Sequence, residues 1–364
     1  MTPAFWDGKR VFLTGHTGFK GSWLCLVLHQ LGAKVTGYAL PPPTQPNLFS
    51  LARIGELIDS IEGDVRDLDH LTEALRAAEP DVVMHLAAQS VVLHSYDDPV
   101  ETYSSNVMGT VHLFEALRRS GRRCTVVNVT TDKCYENRGW VWGYRETDRL
   151  GGRDPYSNSK SCAELVAQSF RESFFPLDAL EHHGVAIASA RAGNVIGGGD
   201  WTPRQLIPDA IEAFRGGRPV ALRHPAAVRP WQHVLDCLAG YLVLAQALVD
   251  GGPKFSGEWN FGPADSDAWP VSKVVESLGA LWGIAPAWVQ DGGTHAPEEN
   301  QLRLDVSKAA SQLGWRSQLP IGEALDWVSH WYRDLHEGGD ARALCDAQIA
   351  RYCAFAGQSE GAEQ

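Results

Sequence analysis

No two cysteines in this chain are spaced as CxxC. The seven present, Cys25, Cys124, Cys134, Cys162, Cys237, Cys345 and Cys353, are odd in number and scattered. That argues against a structural zinc site, and it fits reduced thiols in the cytosol better than a disulfide framework. No metal is expected. Positive charge is also short, with 32 Lys and Arg against 44 Asp and Glu and a formal net charge of -12. A general nucleic-acid role is disfavoured, because a phosphate backbone needs a net basic face. A local basic pocket for a small diphosphate remains compatible with that balance. No stretch approaches the ~20 uninterrupted apolar residues of a membrane span. The opening residues, "MTPAFWDGKRVFLTG", have no basic segment followed by a long apolar run, so no signal peptide is expected. Internal repeats and low-complexity segments are absent as well. A cytoplasmic location is the resulting expectation.

What is there reads as a globular protein. The chain has 364 residues, 44% of them hydrophobic and 21% charged. Its length suits one large domain or two interleaved ones. Thirteen tryptophans are many; most are expected to pack, and a few to line a ligand site. Short apolar runs alternate with helical spacing over the first half. Strands are expected at 10–14, 34–39, 58–61, 81–86, 124–129 and 185–191. Helices are expected at 19–31, 68–78, 98–119 and 156–176. This alternation implies an α/β fold, a doubly wound parallel sheet of the Rossmann type covered on both faces. After about residue 192 Gly and Pro become dense in "GNVIGGGDWTPRQLIP", and the rhythm changes. Residues 232–249 read as a helix and 257–261 as a strand, either of which could return to the first lobe. The expected division is therefore interleaved. Residues 1–192 with about 232–262 form the dinucleotide-binding part. About 193–231 and 263–355 form a smaller substrate-binding lobe, and 356–364 a flexible tail.

Gly15, Gly18 and Gly21 stand in "TGHTGFKG", between the first strand and the first helix. Glycines there let the backbone turn tightly and approach a diphosphate, whose charge sits on the helix N-terminus. Thr17 and Phe19 belong to the same loop. The end of the second strand, "YALPPPT", offers no acid for a ribose 2′-hydroxyl and no base for a 2′-phosphate, which leaves NAD against NADP open. Asp64, next to Val65 in "GDVRD", is a candidate for the adenosine end or a loop cap. Leu86, Ala87 and Ala88 supply small residues after the fourth strand. Asn106 is assigned to the cofactor and stands where it could approach a sugar.

Tyr156 and Lys160 in "DPYSNSK" share a helical face at i and i+4. An ammonium near a phenol, with a nicotinamide charge beside it, lowers the phenol pKa and makes it a usable base. Thr131, at the end of the fifth strand, would complete the set. The next residues are Asp132 and Lys133, an acid and a base at a strand end where open α/β folds do their chemistry.

The set "GHTGFKGSWL", "PPPTQPNLF", "AAQSVV", "SYDDPVETYSSNVMGT", "TTDKCYEN", "RETDRLGGRDPYSNSK", "RAGNVIGGGDW", "LIPD" and "RPWQHV" resembles the extended short-chain dehydrogenase/reductases that act on nucleotide sugars, in particular the 4,6-dehydratases. The matching pieces span residue 14 to about 235. The resemblance implies bound NAD and a nucleotide-sugar substrate, with CDP-glucose favoured. A hydride leaves carbon 4, water is lost across carbons 5 and 6, and the hydride returns to carbon 6. Tyr156, Thr131 and Lys160 would handle the proton at the carbon 4 hydroxyl. Asp132 would be the acid and Lys133 the base of the elimination, unless Lys133 holds substrate while another group moves the proton.

The resemblance also implies substrate ligands. Asn194, Leu206, Arg229, Arg223, Arg204, Trp231 and His94 are the candidates, Arg229 the best of the arginines because a guanidinium matches phosphate bidentately. His233 and Asp236 read as structural. Two departures bear on the base and sugar accepted. Val92, Leu93 and His94 follow "AAQ" where the family tends to show arginine, and "RQLIPD" stands where it tends to show "DRLIPD". The helices near 98–119 and 156–176 would pair with a second copy in a four-helix contact, giving a dimer or a tetramer. An epimerase or reductase on the same scaffold remains the alternative, followed by a dinucleotide-binding sensor without turnover.

Overall fold

The computed structural model describes residues 2–293 and 301–361. Its centre is a sheet of seven parallel strands. These are β1 (Arg10–Thr14), β2 (Lys34–Ala39), β3 (Asp59–Glu62), β4 (Val82–His85), β5 (Cys124–Val129), β6 (Val185–Ala192) and β10 (Gly257–Phe261), in the order β10-β6-β5-β4-β1-β2-β3. Strand order reverses between β1 and β4, and the crevice beyond their carboxyl ends is where such sheets take ligands.

Side-chain alternation explains how both faces are filled. Val11 and Leu13 of β1, with Val127 and Val129 of β5, enter one core. Phe12 and Val126 enter the other. The first core is closed by α1 (Phe19–Gln30) and α8 (Val234–Gly251), the second by α2 (Leu68–Ala78), α5 (Gly109–Ser120) and α6 (Pro155–Ser173). Helix α8 has the length and composition to cross a membrane, yet most of it is buried and it packs on β5 and β6. It is a core helix, its first two turns buried and only its last turn exposed.

The run expected as one helix over 98–119 is built in pieces. Residues α4 (Pro99–Tyr103) pass into a π-helical turn, Ser104–Met108, before α5 begins. Ahead of them lies a six-residue helix, α3 (Val92–Asp97). Beyond β6 the chain builds the second wall of the crevice. Short strands β7 (Asn194–Ile196), β9 (Val228–His233) and β11 (Ala268–Pro270) form one sheet, and β8 (Val220–Leu222) pairs with β12 (Trp288–Gln290). Helices α7 (Leu206–Arg215), α9 (Val271–Trp282), α10 (Ile321–His336) and α11 (Ala341–Gly361) surround them. The Gly/Pro-dense region thus holds regular elements that the sequence reading left as turns. Helix α11 enters the segment read as a flexible tail, of which residues 362–364 lie outside the described residues. Asp236 is structural: its carboxylate accepts from Ser317, Gln318, Leu319 and Tyr352, fastening the end of the chain to α8.

One buried ion pair joins the sheet to α6. Arg191 on β6 and Glu164 on α6 are 2% and 1% exposed, and two parallel N–H···O bonds of 3.0 Å link them. The same guanidinium donates to the Tyr135 hydroxyl at 2.8 Å and the Glu146 carbonyl at 3.0 Å. Thr130 donates to Glu164 from the end of β5. Removing one partner strands a buried charge, a cost of about 3–5 kcal/mol. Glu164→Ala is therefore expected to lower the urea-unfolding free energy by about that amount. The double variant Glu164→Leu/Arg191→Met should recover much of it. A loss under about 1 kcal/mol for the single variant would show that the pair does not hold these elements together.

Candidate active site

The carboxyl ends of β1, β4 and β5 open into a cleft of about 1210 Å³, whose far wall is the second group of elements. At one end lies the glycine loop. Gly15 has φ +78, and a Cβ there would stand 2.7 Å from the backbone nitrogen of Ala87. A Cβ on Gly21 would run into the Gly15 carbonyl. The loop can lie close under β4 and start α1 abruptly only because both are glycine. Thr14 ties this corner together, with its hydroxyl 2.7 Å from His85 Nδ1 and accepting from Ala87 N at 3.2 Å. Thr17, Gly18, Phe19, Leu86, Ala87 and Ala88 all face the cleft.

Asp64 and Val65 also line it, and Asp64 is fully engaged by Arg66, with bonds of 2.8 Å from its backbone N–H and 2.8 Å from Nε. Those bonds hold the carboxyl below the usual carboxylate range. At the end of β2, where an acid was sought, His16 packs instead. Its Nε2 is 2.8 Å from the Ser60 hydroxyl, its ring lies so close over Gly37 that a side chain there would strike it, and burial pushes its pKa down to about 4.

Helix α6 carries the reacting end. Asp154 caps it by accepting from Ser157 N at 2.9 Å, with Pro155 in the first turn. Tyr156 reaches the cleft wall, mostly buried, within hydrogen-bonding reach of Thr131. Burial pushes the phenol pKa up, and the bond with Thr131 pulls against it. Lys160 lies behind, its Nζ donating to the Val129 carbonyl at 3.3 Å. Burial pushes this amine down to about 8, and the charge of Lys20 adds to the effect.

Asp132 and Lys133 stand beside them. Thr131 Oγ1 donates to Asp132 Oδ1 at 3.0 Å, and Lys133 Nζ is 3.6 Å from the same oxygen. Lys133 lines the cleft, while Asp132 is fully buried with Oδ2 unpartnered.

Asn106 does not line the cleft. The π-helical turn sets it inside the wall, where it accepts from Gln89 N at 2.8 Å and donates to Gln89 O and Ser159 Oγ at 2.9 Å. It clamps the β4 loop to the catalytic helix. Across the cleft, Asn194, Leu206, Arg223, Arg229 and Trp231 form the wall opposite the glycine loop. Asn194 Oδ1 is buried without a partner. Arg229 donates to the Val228 carbonyl at 3.0 Å, and Trp231 Nε1 to the Trp269 carbonyl at 3.0 Å. His94 is 2.6 Å from Glu101, and Arg204 is 2.9 Å from Asp97. Sequence reading missed Lys20 and Gln89, which also line the cleft. Lys20 follows the glycine loop in the first turn of α1, and Gln89 closes "AAQ"; their positions were the available signal.

These residues fit a dinucleotide. The glycine loop gives a diphosphate close access to the α1 N-terminus, and Tyr156 and Thr131 stand along the same cleft.

Comparison with known proteins agrees with the geometry. Residues 11–262 match the family described as the NAD dependent epimerase/dehydratase family. The chain is 51% identical over 348 residues to the CDP-glucose 4,6-dehydratase of Salmonella typhimurium, covering 96% of this chain and 97% of that one. Among solved structures it is similar to MoeE5 in complex with UDP-glucose and NAD, at TM-score 0.75 and 27% identity over 89% of this chain and 98% of that one. The dTDP-glucose 4,6-dehydratase DesIV of Streptomyces venezuelae superposes at TM-score 0.77 and 24% identity, covering 92% and 99%, and shares the fold.

The buried amine of Lys160 has a pH signature. Its folded pKa, about 8, lies below the unfolded value of about 10.4. Between the two the unfolded chain holds more protons, so stability rises with pH over that window. Below it the folded state bears the full cost of the buried charge, about 3 kcal/mol. The wild type is therefore expected to gain about that much on Lys160→Met between pH 7.5 and 10.5, measured by urea unfolding of both. A difference that stays flat with pH would show that the amine is not held out of water.

Proposed function

The chain belongs to the NAD dependent epimerase/dehydratase family, and on that premise we propose that it dehydrates CDP-D-glucose to CDP-4-dehydro-6-deoxy-D-glucose. The observation that carries this reading is the second acid–base pair. Asp132 and Lys133 stand directly beside Thr131 and Tyr156, where an epimerase or a reductase has no elimination to serve. The near-full-length identity with a CDP-glucose 4,6-dehydratase supports the same substrate.

The part built on the seven-stranded sheet, 1–192 with about 232–262, holds the cofactor, and the remaining elements up to about 355 hold the nucleotide sugar. Gly15, Thr17, Gly18, Phe19 and Gly21 cradle the diphosphate of NAD, Asp64 and Val65 border its adenosine, and Leu86, Ala87 and Ala88 border its inner half. When bound, NAD supplies a reversible two-electron store for oxidation at carbon 4 and reduction at carbon 6. Arg229 and Arg223 take the sugar nucleotide's diphosphate, Trp231 and Leu206 give it apolar surface, and Asn194 and His94 orient the sugar.

Tyr156 Oη accepts the proton of the carbon 4 hydroxyl, which Thr131 Oγ1 orients. The positive charge of Lys160 behind the phenol favours its ionised form. The ketone at carbon 4 acidifies the carbon 5 proton, which Lys133 Nζ removes while Asp132 protonates the departing carbon 6 hydroxyl. For this to balance, the pair begins as a neutral amine and a protonated carboxyl and ends as ammonium and carboxylate. When carbon 6 is reduced, the Lys133 ammonium returns its proton to carbon 5 and is neutral again; its Nζ stands 3.6 Å from Asp132 Oδ1. The proton held by Tyr156 passes to the Asp132 carboxylate through Thr131 Oγ1, which is bonded to Asp132 Oδ1 at 3.0 Å and within reach of the phenol, so every group ends the cycle as it began and no proton is consumed.

A homo-oligomer through a four-helix contact goes with this reading. Val100, Tyr103 and Met108 on the α4–α5 run, with Leu165 and Phe174 at α6, are exposed apolar side chains on the two helices concerned. The seven thiols are unpaired, as expected in the cytoplasm.

Purified protein with NAD is expected to convert CDP-glucose to a product with the alkaline absorbance of a 4-keto-6-deoxy sugar, without net loss of NAD. Lys133→Ala should reduce the rate by about 10²–10⁴, the range for a lost general base, and Tyr156→Phe should abolish turnover while keeping the cofactor. Preference for a dTDP-, UDP- or GDP-sugar would reassign the base. Interconversion of sugar epimers without water loss would overturn the dehydratase. In sedimentation, Val100→Glu/Leu165→Glu should shift a dimer or tetramer to smaller species; an unchanged assembly would place the contact elsewhere.

A further inference from the structure

Two segments face each other across the cleft. One is α3, Val92–Asp97, which comes from the loop after β4. The other is the loop of residues 197–205, between β7 and α7. Both line the cleft. Asp97 Oδ2 and Arg204 Nη1, 2.9 Å apart, form an ion pair between them.

Arg204 has a backbone built for this reach. Its φ is +64, a region that residues with a Cβ rarely occupy. Among the described residues, two other non-glycine positions share it, Arg53 and Glu79, and both close helical turns. Arg204 closes none. Its N–H is held by the carboxylate of Asp209, in the first turn of α7. An unfavourable conformation that the surroundings fix in this way sets the direction of one side chain, and that side chain crosses the cleft to Asp97.

We infer that Arg204 and Asp97 form a latch that closes the cleft over bound nucleotide sugar, and that Arg204 is a positioning residue, not a ligand of the diphosphate. The inference rests on the proposed function for the identity of the substrate. The side chains are 53% and 59% exposed, so the pair is weak in water and opens readily for entry. A substrate beneath it displaces water from its inner side, and the attraction strengthens as the local dielectric falls. By linkage, substrate then tightens the latch by the same factor as the latch tightens substrate. The loop that carries Arg204 leads straight into Leu206 and α7, so closure also seats that stretch of wall.

A double-mutant cycle tests this on the NAD-loaded enzyme. Arg204→Gln, Asp97→Asn, the double variant and the swap Arg204→Asp/Asp97→Arg would be compared with wild type. The readouts are KM and kcat for CDP-glucose, and the dissociation rate of CDP by stopped-flow displacement. Each single variant is expected to raise KM and the CDP off-rate about three- to tenfold, within the coupling of close charge pairs, with a smaller change in kcat. The double variant should be no worse than either single one, and the swap should recover part of the loss. High salt should raise the wild-type off-rate toward that of the variants. A loss for Arg204→Gln with none for Asp97→Asn, or additive losses, would overturn the latch and return Arg204 to the diphosphate. Should the wild type fail to turn over CDP-glucose yet bind CDP, the proposed function falls and the off-rate cycle still decides the latch. If another nucleotide binds instead, it replaces CDP in the cycle, and if none binds, the latch falls too.

Discussion

A guanidinium with no access to water sits under the reacting groups, and much of the site is arranged around it. Arg191 ends β6 inside the protein, and its charge is tolerable only because Glu164 meets it face to face. The remaining donors reach Tyr135 and Glu146, on the segment that follows the Thr131–Lys133 turn. Tyr135 in turn donates to Asn260 on β10 at 2.7 Å, and Asn260 donates to the Tyr144 carbonyl at 2.8 Å. Sheet, catalytic helix and the loop over them are thereby joined by polar bonds in a dry region, where each bond is strong and each unmade bond is costly. Thr130, one residue before Thr131, is bonded to the same carboxylate. The position of Thr131 relative to Tyr156 is thus set from below, by groups that never meet a ligand.

Much of this was legible in the chain itself. Strands 10–14, 34–39, 124–129 and 257–261 coincide with the observed β1, β2, β5 and β10; Val11, Phe12 and Leu13 in β1 and Val126 and Val127 in β5 are the buried apolar stretches that mark two of them. The glycine loop and the Tyr156–Lys160 pairing follow from spacing, since each is local to one turn or one helix, whereas Thr131 is placed by its position just after the fifth strand. Asn106 was not legible as a clamp, because a π-helical turn changes which way a side chain points without changing the residues that count as helical. The Arg191–Glu164 and Arg204–Asp97 pairs were hidden for another reason. Their partners are far apart in the chain, and nothing local says which acid an arginine will meet. Helix α10 carries a clear amphipathic pattern, Ile321, Ala324, Leu325 and Val328 facing inward, yet it is not among the helices expected from the sequence.

The two ends of the cleft divide the physical tasks. Near β1, β4 and β5 the backbone is pinned by small residues and buried polar bonds, which suits a cofactor that stays in one place. On the opposite wall, side chains of short strands and a loop do the work, and exposed charges are common. Two amines, Lys20 and Lys160, stand on the pinned side, where their charge favours the anionic form of a phenol or a phosphate.

The order of strands has a consequence for synthesis on the ribosome. β6 is an outer strand of the sheet until β10 pairs with it, and the chain must first build β7, β8, β9 and α8. Sixty-four residues, 193–256, separate the two, which at ~5–20 residues per second is about 3–13 s of translation. During that interval the nascent chain presents an open edge, "VAIASARA", apolar and with its hydrogen-bonding groups unmet. The buried charge of Arg191 lies on that edge strand, and a charge on an unpaired edge discourages another chain from adding to it. A residue that organises the finished protein would then also guard the unfinished one.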